Sequence, residues 1–304
     1  MIAADPRALS WYEASARQRV AALLDAGSFR EVLGPAERRM SPHLPLFDLP
    51  RAFDDGIVVG GGTLNGRRVL VAAQEGRFMG GAFGEVHGAK LVGLLRAAPG
   101  VKPEAVLILF DTGGVRLQEA NAGETAIAET MRAIADCRAA GIPVIGLIGG
   151  RAGCYGGGGL IAGTCSGLAV SESGRISVSG PEVIETNKGA EEFDSRDRAL
   201  VWRTMGGKHR YLIGGADAFA EDTPAAFRDA ALALIGQAPA FDLAVMEAEQ
   251  ARLEARLTRF GDARDGHDVW ASLGINDPDA VPSMTTDDFR AVADPRREAA
   301  RDAR

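Results

Sequence analysis

The stretch FDTGGVRLQEANAGE, residues 110–124, decides the fold, because it places a Gly-Gly pair between an apolar run and a predicted helix. Two further stretches share this layout: GRFMGGAFGEVHGAK at residues 76–90 and IGGRAGCYGGGG at residues 148–159. Glycine lets backbone N–H groups turn outward into a concave anion site, and the helix behind adds the positive end of its dipole. Three such turns favour a backbone-built anion site over the alternative, tight helix-on-strand packing without a ligand.

Short apolar runs bounded by Gly, Pro or Asp surround these turns and are typical of buried strands. They occupy residues 57–59, 69–73, 106–110, 144–148, 168–170 and 176–178. Helices are predicted at residues 89–95, 124–138, 196–204, 223–235 and 242–258. The alternation predicts an α/β fold. Neighbouring parallel strands would present both Gly-Gly pairs at the same edge of the sheet, where α/β proteins bind ligands.

The two ends of the chain differ from this central block. Apolar spacing predicts one amphipathic helix over residues 10–33, followed by a proline-rich connector, SPHLPLFDLPRAFDDG, at residues 41–56. We therefore divide the chain into an N-terminal helix and linker, residues 1–50, and a main domain with C-terminal helices, residues 51–304. The charged last stretch, residues 287–304, is expected to fray at its end.

Composition excludes several functional classes. The formal net charge of −7 argues against nucleic-acid binding, which depends on clustered Lys and Arg, and no apolar run approaches the ~20 residues that span a bilayer. Cys137, Cys154 and Cys165 form no C-x-x-C pair and are too few for a four-cysteine zinc site. We expect reduced thiols, no metal site and a cytoplasmic protein.

Two familiar glycine loops can be tested directly. A nucleotide-binding P-loop needs Gly-Lys followed by Ser or Thr, and none of the three stretches contains it. A dinucleotide fingerprint belongs to the first strand-to-helix turn of its fold, whereas residues 149–159 lie deep in the chain, so their match carries little weight. A backbone site for an oxyanion remains the best interpretation.

The motifs resemble the carboxyltransferase domains of acyl-CoA carboxylases, and most closely the beta subunits of malonate decarboxylases. The family pattern Gly-Gly-Ser-Met-Gly with a following Gly-Glu-Lys is similar to residues 80–84 and 88–90, and Ser-Gly-Gly-Ala-Arg-Met-Gln-Glu is similar to residues 112–119. Two later blocks, Thr-Gly-Gly and Gly-Pro-Arg-Val-Ile-Glu, are similar to residues 155–157 and 180–185. Four blocks in the family order are far more specific than one.

This resemblance implies a crotonase (ClpP/crotonase-like) fold of repeated ββα units with flanking helices. It implies decarboxylation of a malonyl thioester on an acyl carrier protein to an acetyl thioester and carbon dioxide. No intrinsic cofactor is implied, because the phosphopantetheine-type thiol belongs to the carrier. The implied partners are a gamma subunit, the acyl carrier protein subunit and an acyl-carrier transferase alpha subunit.

Departures from the family pattern indicate which member of the family the chain resembles most. The first hundred residues contain no cysteine, so the zinc ribbon of bacterial acetyl-CoA carboxylase beta subunits is missing; Ala89 replaces the family glutamate, and Glu85 and His87 add ionisable groups. The opening residues 10–13 also favour malonate decarboxylase. Three alternatives stay open: a zinc-free carboxyltransferase subunit that uses biotin, a scaffold without activity, and a hydratase or isomerase using Glu119 or Glu124.

The resemblance also suggests roles for individual residues. Backbone amides of Gly113 and Gly114, with the facing Gly156 and Gly157, would stabilise the thioester enolate. By motif position His87 and Tyr155 are the nearest proton donors, with water as the alternative, although a packing role is the commoner one for each. Gly81, Gly84, Lys90 and Arg116 would bind the substrate. A basic string could recruit an acidic carrier: Arg196, Arg198, Arg203, Lys208 and Arg210.

Overall fold

A seven-stranded mixed sheet forms the centre of the computed structural model, which describes residues 9–302, with side chains as far as residue 297. Its strands are β1 Arg30–Val32, β2 Ile57–Leu64, β3 Arg67–Gln74, β4 Ala105–Phe110, β5 Val144–Ile148, β6 Gly167–Ser171 and β7 Ala218–Ala220. They lie side by side in chain order. The first three are antiparallel, whereas β3 to β7 are parallel and therefore need crossover connections.

Helices supply these crossovers and cover both faces of the sheet. They are α1 Ala16–Leu23, α2 Glu85–Val101, α3 Asn121–Ala139, α4 Gly157–Thr164, α5 Pro181–Lys188, α6 Arg198–Met205, α7 Gly207–Leu212, α8 Pro224–Gln237, α9 Leu243–Phe260, α10 Gly266–Ser272 and α11 Thr286–Asp302. One face packs mainly against α2, α3 and α4, and the other against α1 and α8. The α/β prediction is confirmed.

The predicted strands and helices of the central block are largely confirmed, with one exception. Residues 176–178 form no strand; Ile176 makes a single parallel bridge to Cys154. This bridge belongs to a short second ladder that also pairs Thr112 with Cys154 and Phe83 with Val115. The ladder joins the segments that follow the carboxyl ends of the main strands, and it holds the three glycine-rich stretches together.

The prediction of one helix over residues 10–33 is wrong. Ser15 caps α1 through a reciprocal capping box with Gln18, and the helix ends at Leu23, after which the chain turns and pairs as β1 with β2. Close approach of β1 and β2 requires glycine, since a Cβ on Gly60 would lie 2.2 Å from the Arg30 carbonyl oxygen. The N-terminal segment, residues 1–50, thus contributes β1 to the same sheet as β2 of the main domain.

The carboxylate of Asp111, directly after β4, ties the N-terminal helix to the sheet. One oxygen accepts from Arg19 Nη1 at 2.8 Å, and the other accepts from the Ala152 N–H at 2.7 Å. The Asp111 N–H donates to Gln74 Oε1 at 3.1 Å. The ionic side chains are 1% and 4% exposed, so removal of either partner leaves a buried, unpaired charge.

Replacement of Arg19 tests this anchor. We expect Arg19→Met to lower the free energy of unfolding by about 3–5 kcal/mol, because it strands the Asp111 carboxylate. The matched control is Arg17→Met on the same helix, whose ion pairs with Glu31 and Asp55 are partly exposed. Urea denaturation followed by circular dichroism should show that Arg17→Met lowers the free energy of unfolding by less than about 1 kcal/mol. Equal losses would contradict the assigned role of Asp111.

Candidate active site

The two Gly-Gly pairs meet where the parallel neighbours β4 and β5 end, as predicted. A Cβ on Gly156 would lie 3.0 Å from the Gly114 Cα, so the two loops touch backbone to backbone. Both residues have positive φ, +131° at Gly114 and +57° at Gly156, a region that side chains rarely adopt. Glycine is therefore required at this contact by both space and conformation.

The loops differ in which N–H groups they leave available. The Gly113 N–H donates to the Gly80 carbonyl at 2.8 Å, and the Gly114 N–H donates to Thr112 Oγ1 at 3.2 Å. The N–H groups of Gly156 and Gly157 have no acceptor among residues 9–302. Gly157 is the first residue of α4 and is buried, where an unpaired N–H is unusual. The free N–H donors are thus in the Gly156–Gly157 loop, whereas the sequence favoured the amides of Gly113 and Gly114.

Gly81 and Gly84, predicted to bind substrate, lie against the protein itself. A Cβ on Gly81 would fall 1.7 Å from the Asp111 carbonyl oxygen, and one on Gly84 would fall 2.4 Å from Glu119 Oε2. Both glycines are buried. Their absence of a side chain lets residues 76–90 pack onto residues 110–124. This is a structural role, and substrate binding by the two glycines stays a prediction.

Arg116, predicted to bind a carboxylate of the substrate, is 2% exposed and already paired with two carboxylates of the chain. Its Nη1 contacts Asp54 and also lies 3.3 Å from Glu119 Oε1. Burial alone would raise the pKa of Asp54, but the hydrogen bond and charge of Arg116 outweigh it and hold that pKa below its ordinary value. Arg116 thus joins the end of the linker to the glycine loop, and a contact with substrate stays a prediction.

His87 and Lys90 on α2 are also buried. His87 is 0% exposed, with Nε2 3.2 Å from Gln74 Nε2 and Nδ1 3.4 Å from Arg116 Nη2. Burial, followed by the charge of Arg116, lowers the His87 pKa to about 3, which favours the neutral imidazole at neutral pH. Lys90 donates to the Ile57 carbonyl at 2.5 Å and holds α2 to β2.

Tyr155 contributes its backbone to the loop contact and its ring to a small core. Its N–H donates to the Thr112 carbonyl at 2.9 Å, while the ring packs with Val201 and Met205. Burial raises the pKa of its hydroxyl. The side chain packs beside the Arg175 guanidinium, 5.9 Å from the ring centre, and its buried hydroxyl has no hydrogen-bond partner among the described residues.

The predicted basic string does not form one surface. Arg203 is ion-paired with Asp265 at 2.8 Å, and Lys208 is 6% exposed and bound to Glu172 and two carbonyls. Arg210 points into a cavity on another side of α7. Only Arg196 and Arg198 are exposed.

Sequence reasoning missed Thr112, whose hydroxyl accepts from Gly114, and Asp111. The signal was their position beside the Gly-Gly pair, immediately after a buried strand.

Exposed apolar side chains flank the facing loops. Leu117 is 86% exposed and follows the Gly-Gly pair of the first loop, and Leu160 on α4 is 44% exposed. On the linker, whose residues 44–47 contact residues 117–119, Leu46 is 75% and Phe47 is 52% exposed. Such a patch is characteristic of an interaction surface.

Two features are absent from the described part of the chain, residues 9–302. No group of three or more His, Cys, Asp or Glu side chains there is arranged to hold a metal ion. In the same residues, no helix is both long and apolar enough to cross a membrane.

The sheet, the short second ladder and the facing glycine loops define an α/β protein of the crotonase-like class. The model of the carboxyl transferase domain matches residues 13–252. The chain belongs to the carboxyl transferase family.

Individual relatives sharpen this assignment. The chain is 42% identical over 305 residues to malonyl-S-ACP:biotin-protein carboxyltransferase MADC of Malonomonas rubra, covering 93% of this chain and 95% of that one. A chain of the Pseudomonas malonate decarboxylase hetero-tetramer, solved with malonate, is 41% identical with a TM-score of 0.78 over 87% of this chain and 97% of that chain. One from the Pseudomonas MdcD-MdcE hetero-dimer is 39% identical, with a TM-score of 0.65 over 83% and 97%. The crotonase-like fold is thereby confirmed.

Adjacent glycines offer a test of the loop packing. Gly80 and Gly81 have nearly equal φ, +65° and +67°, but a Cβ on Gly80 meets nothing within 4 Å whereas one on Gly81 meets the Asp111 carbonyl. We expect Gly80→Ala to cost only about 1–2 kcal/mol of left-handed backbone strain. Gly81→Ala should cost clearly more, because backbone must move. Thermal unfolding measures both, and similar losses would contradict the packing role of Gly81.

The buried imidazole predicts a pH dependence of stability. In the unfolded chain His87 returns to its ordinary pKa of 6.5, against about 3 when folded. Between these values only the unfolded state takes up the proton, so this contribution to stability is complete above pH 6.5 and is lost as pH falls towards 3. Wild type should have a higher free energy of unfolding than His87→Gln at about pH 8. This difference, the stability gap, should be smaller by about 2 kcal/mol at about pH 5.

Urea denaturation at the two pH values measures the gap. Phe83→Leu is the control, since Phe83 stacks on the imidazole at 4.7 Å but does not titrate, and its gap should not narrow. A gap for His87→Gln that stays constant would mean that the folded imidazole protonates normally.

Proposed function

We propose that this chain is the decarboxylating subunit of a malonate decarboxylase, acting on a malonyl thioester of an acyl carrier protein and releasing carbon dioxide. The single observation that carries the proposal is the pair of unengaged N–H groups at Gly156 and Gly157, facing the Gly113–Gly114 loop. Relatives that act in malonate metabolism, at 41–42% identity over most of both chains, support the substrate class.

The chemistry needs a sink for one electron pair. The bond between the carboxylate carbon and C2 breaks, the pair forms the C1–C2 double bond, and negative charge develops on the thioester oxygen. N–H donors fixed in advance stabilise this enolate oxygen more than the ground-state carbonyl, which lowers the barrier. We assign the donors to Gly156 and Gly157, with the Gly113–Gly114 loop forming the opposite wall.

A proton must then reach C2 of the enolate. The imidazole of His87 is fully buried, and the ring of Tyr155 packs with Val201 and Met205, so we assign this step to water. Gly113 is exposed at the loop contact, which gives water a route to the reacting carbon. The thioester thiol belongs to the phosphopantetheine-type group of the carrier, and the chain itself contributes no cofactor.

The active site is completed by a second subunit in this proposal. The exposed apolar side chains around the loops, including Leu117 and Leu46, would be covered by a homologous gamma subunit. Relatives from a hetero-tetramer and a hetero-dimer support such an assembly. The carrier protein and an acyl-carrier transferase alpha subunit would complete the complex.

A second candidate function is carboxyl transfer from malonyl thioester to biotin. It is favoured by the 42% identity to a malonyl-S-ACP:biotin-protein carboxyltransferase. Both reactions pass through the same enolate and differ in whether the carboxyl group leaves as carbon dioxide or reaches biotin. The complex with its second subunit should therefore release carbon dioxide from malonyl thioester without biotin, and activity abolished by avidin would favour the second candidate.

A proline tests the amide of Gly157 with little change of conformation, because the first position of a helix tolerates proline. A Cβ there would lie 1.8 Å from Ile127 Cδ1, so both variants carry Ile127→Ala to make room. Gly157→Pro in that background should lower kcat about 10²–10³-fold, the typical effect of losing one oxyanion donor.

The matched control is Gly157→Ala in the same background, which keeps the N–H and should retain most of the activity. Equal activity of the proline and alanine variants would remove Gly157 from the mechanism.

A further inference from the structure

A cavity of about 440 Å³ lies between α7, α9 and α10, and no residue of the three glycine-rich stretches lines it. One wall is apolar and includes Ile213, Leu257 and Phe260. Two guanidinium groups, those of Arg210 and Arg256, also line it. The cavity therefore combines positive charge with a hydrocarbon surface.

Neither arginine forms a close ion pair within the described residues. Burial, followed by the charge of Arg252, lowers the pKa of Arg256, and the charge of Glu249 opposes this shift. The structure places no carboxylate within 4 Å of either guanidinium, as far as the described residues go. The buried Nε of Arg210 has no hydrogen-bond partner, and Arg256 donates to the Ile213 carbonyl at 3.1 Å. This situation is unusual, since buried charges in proteins are normally paired.

The other titratable groups of the cavity do not supply the missing charge. Asp265 is held by Arg203 through two nitrogens, at 3.0 and 2.8 Å. His209 accepts from Trp270 Nε1 at 3.2 Å, and burial, with Arg210 next, lowers its pKa to about 3. Arg264, on the exposed rim, adds a further positive charge.

Charge repulsion is evident at Arg210. Burial, and then the neighbouring charge of Arg256, lowers its pKa to about 10, yet it remains positive at neutral pH. Two like charges in a partly enclosed space are unfavourable until an anion compensates them. Planar guanidinium groups match the oxygens of carboxylates and phosphates.

We propose that this cavity is a second ligand site, which binds a small free anion bearing a carboxylate or phosphate group between Arg210 and Arg256, with any short hydrocarbon part against Leu257 and Phe260. The cavity lies outside the three glycine-rich stretches, and Arg210 is near enough to Tyr155 for their charges to interact.

Binding of inorganic phosphate and of succinate to the full chain tests the proposal, with chloride keeping the ionic strength constant. Calorimetric titration should give saturable binding, and Arg256→Gln should weaken it at least about tenfold, the effect of one charge-assisted hydrogen bond. Arg259→Gln is the matched control, because Arg259 is on the same helix but does not line the cavity. Its Kd should stay within about twofold of wild type.

Three results would overturn the proposal. The first is an absence of saturable binding to wild type, and the second is equal binding by the Arg256 and Arg259 variants. The third is loss of anion binding when the second subunit associates, together with competition between phosphate and assembly, because the cavity would then receive a carboxylate of the partner. Since Arg256 is half-buried on α9, its variant should fold, and Arg210→Gln provides an independent repeat.

Discussion

The carboxylate of Asp111 is the interaction on which the arrangement of the site depends. It receives Arg19 from the N-terminal helix and the Ala152 N–H from the third glycine-rich stretch, while its own N–H reaches Gln74 at the end of β3. Glycine is required around it, because a Cβ on Gly76 or on Gly150 would lie within 2.6 Å of its side chain. One buried negative charge thus fixes three strand ends and the helix that covers them, and the glycine content of the loops is partly a consequence.

Arg116 plays a parallel part with the opposite charge. Its guanidinium lies between Asp54 and Glu119, and His87 stays neutral beside it. Arg116 can therefore stabilise the glycine loop without contacting a substrate. The distinction is physical, because an arginine with two carboxylates already in contact has little free energy to gain from a third. By contrast, no carboxylate of the described residues lies within 4 Å of the Arg210 or Arg256 guanidinium.

The sequence was informative where local chemistry determines structure. Apolar runs bounded by Gly or Asp predicted the central strands, and the Gly-Gly pairs after two of them predicted that the loops would meet. The sequence failed where a long-range contact decides. Nothing local to residues 24–33 shows that β2 will accept β1 as a partner, and β7 is only three residues long. The roles of Arg116, Lys90 and His87 depended on burial and on partners such as Asp54, 62 residues from Arg116 along the chain, which spacing does not reveal.

The difference between local sequence and long-range contacts also bears on which amides could donate to an enolate in the proposed reaction. A Gly-Gly pair in the sequence indicates conformational freedom, but each N–H becomes a donor to substrate only if the fold leaves it unpaired. Gly113 uses its N–H to fasten the loop to Gly80, and Gly114 uses its own on Thr112. These bonds make the first loop a rigid wall, against which Gly156 can approach closely enough that only glycine fits on either side. One loop is thus paired, and the other has free donors at the start of a helix. In the proposed reaction, these N–H groups would be in place before charge develops, and such preorganisation is what makes oxyanion stabilisation effective.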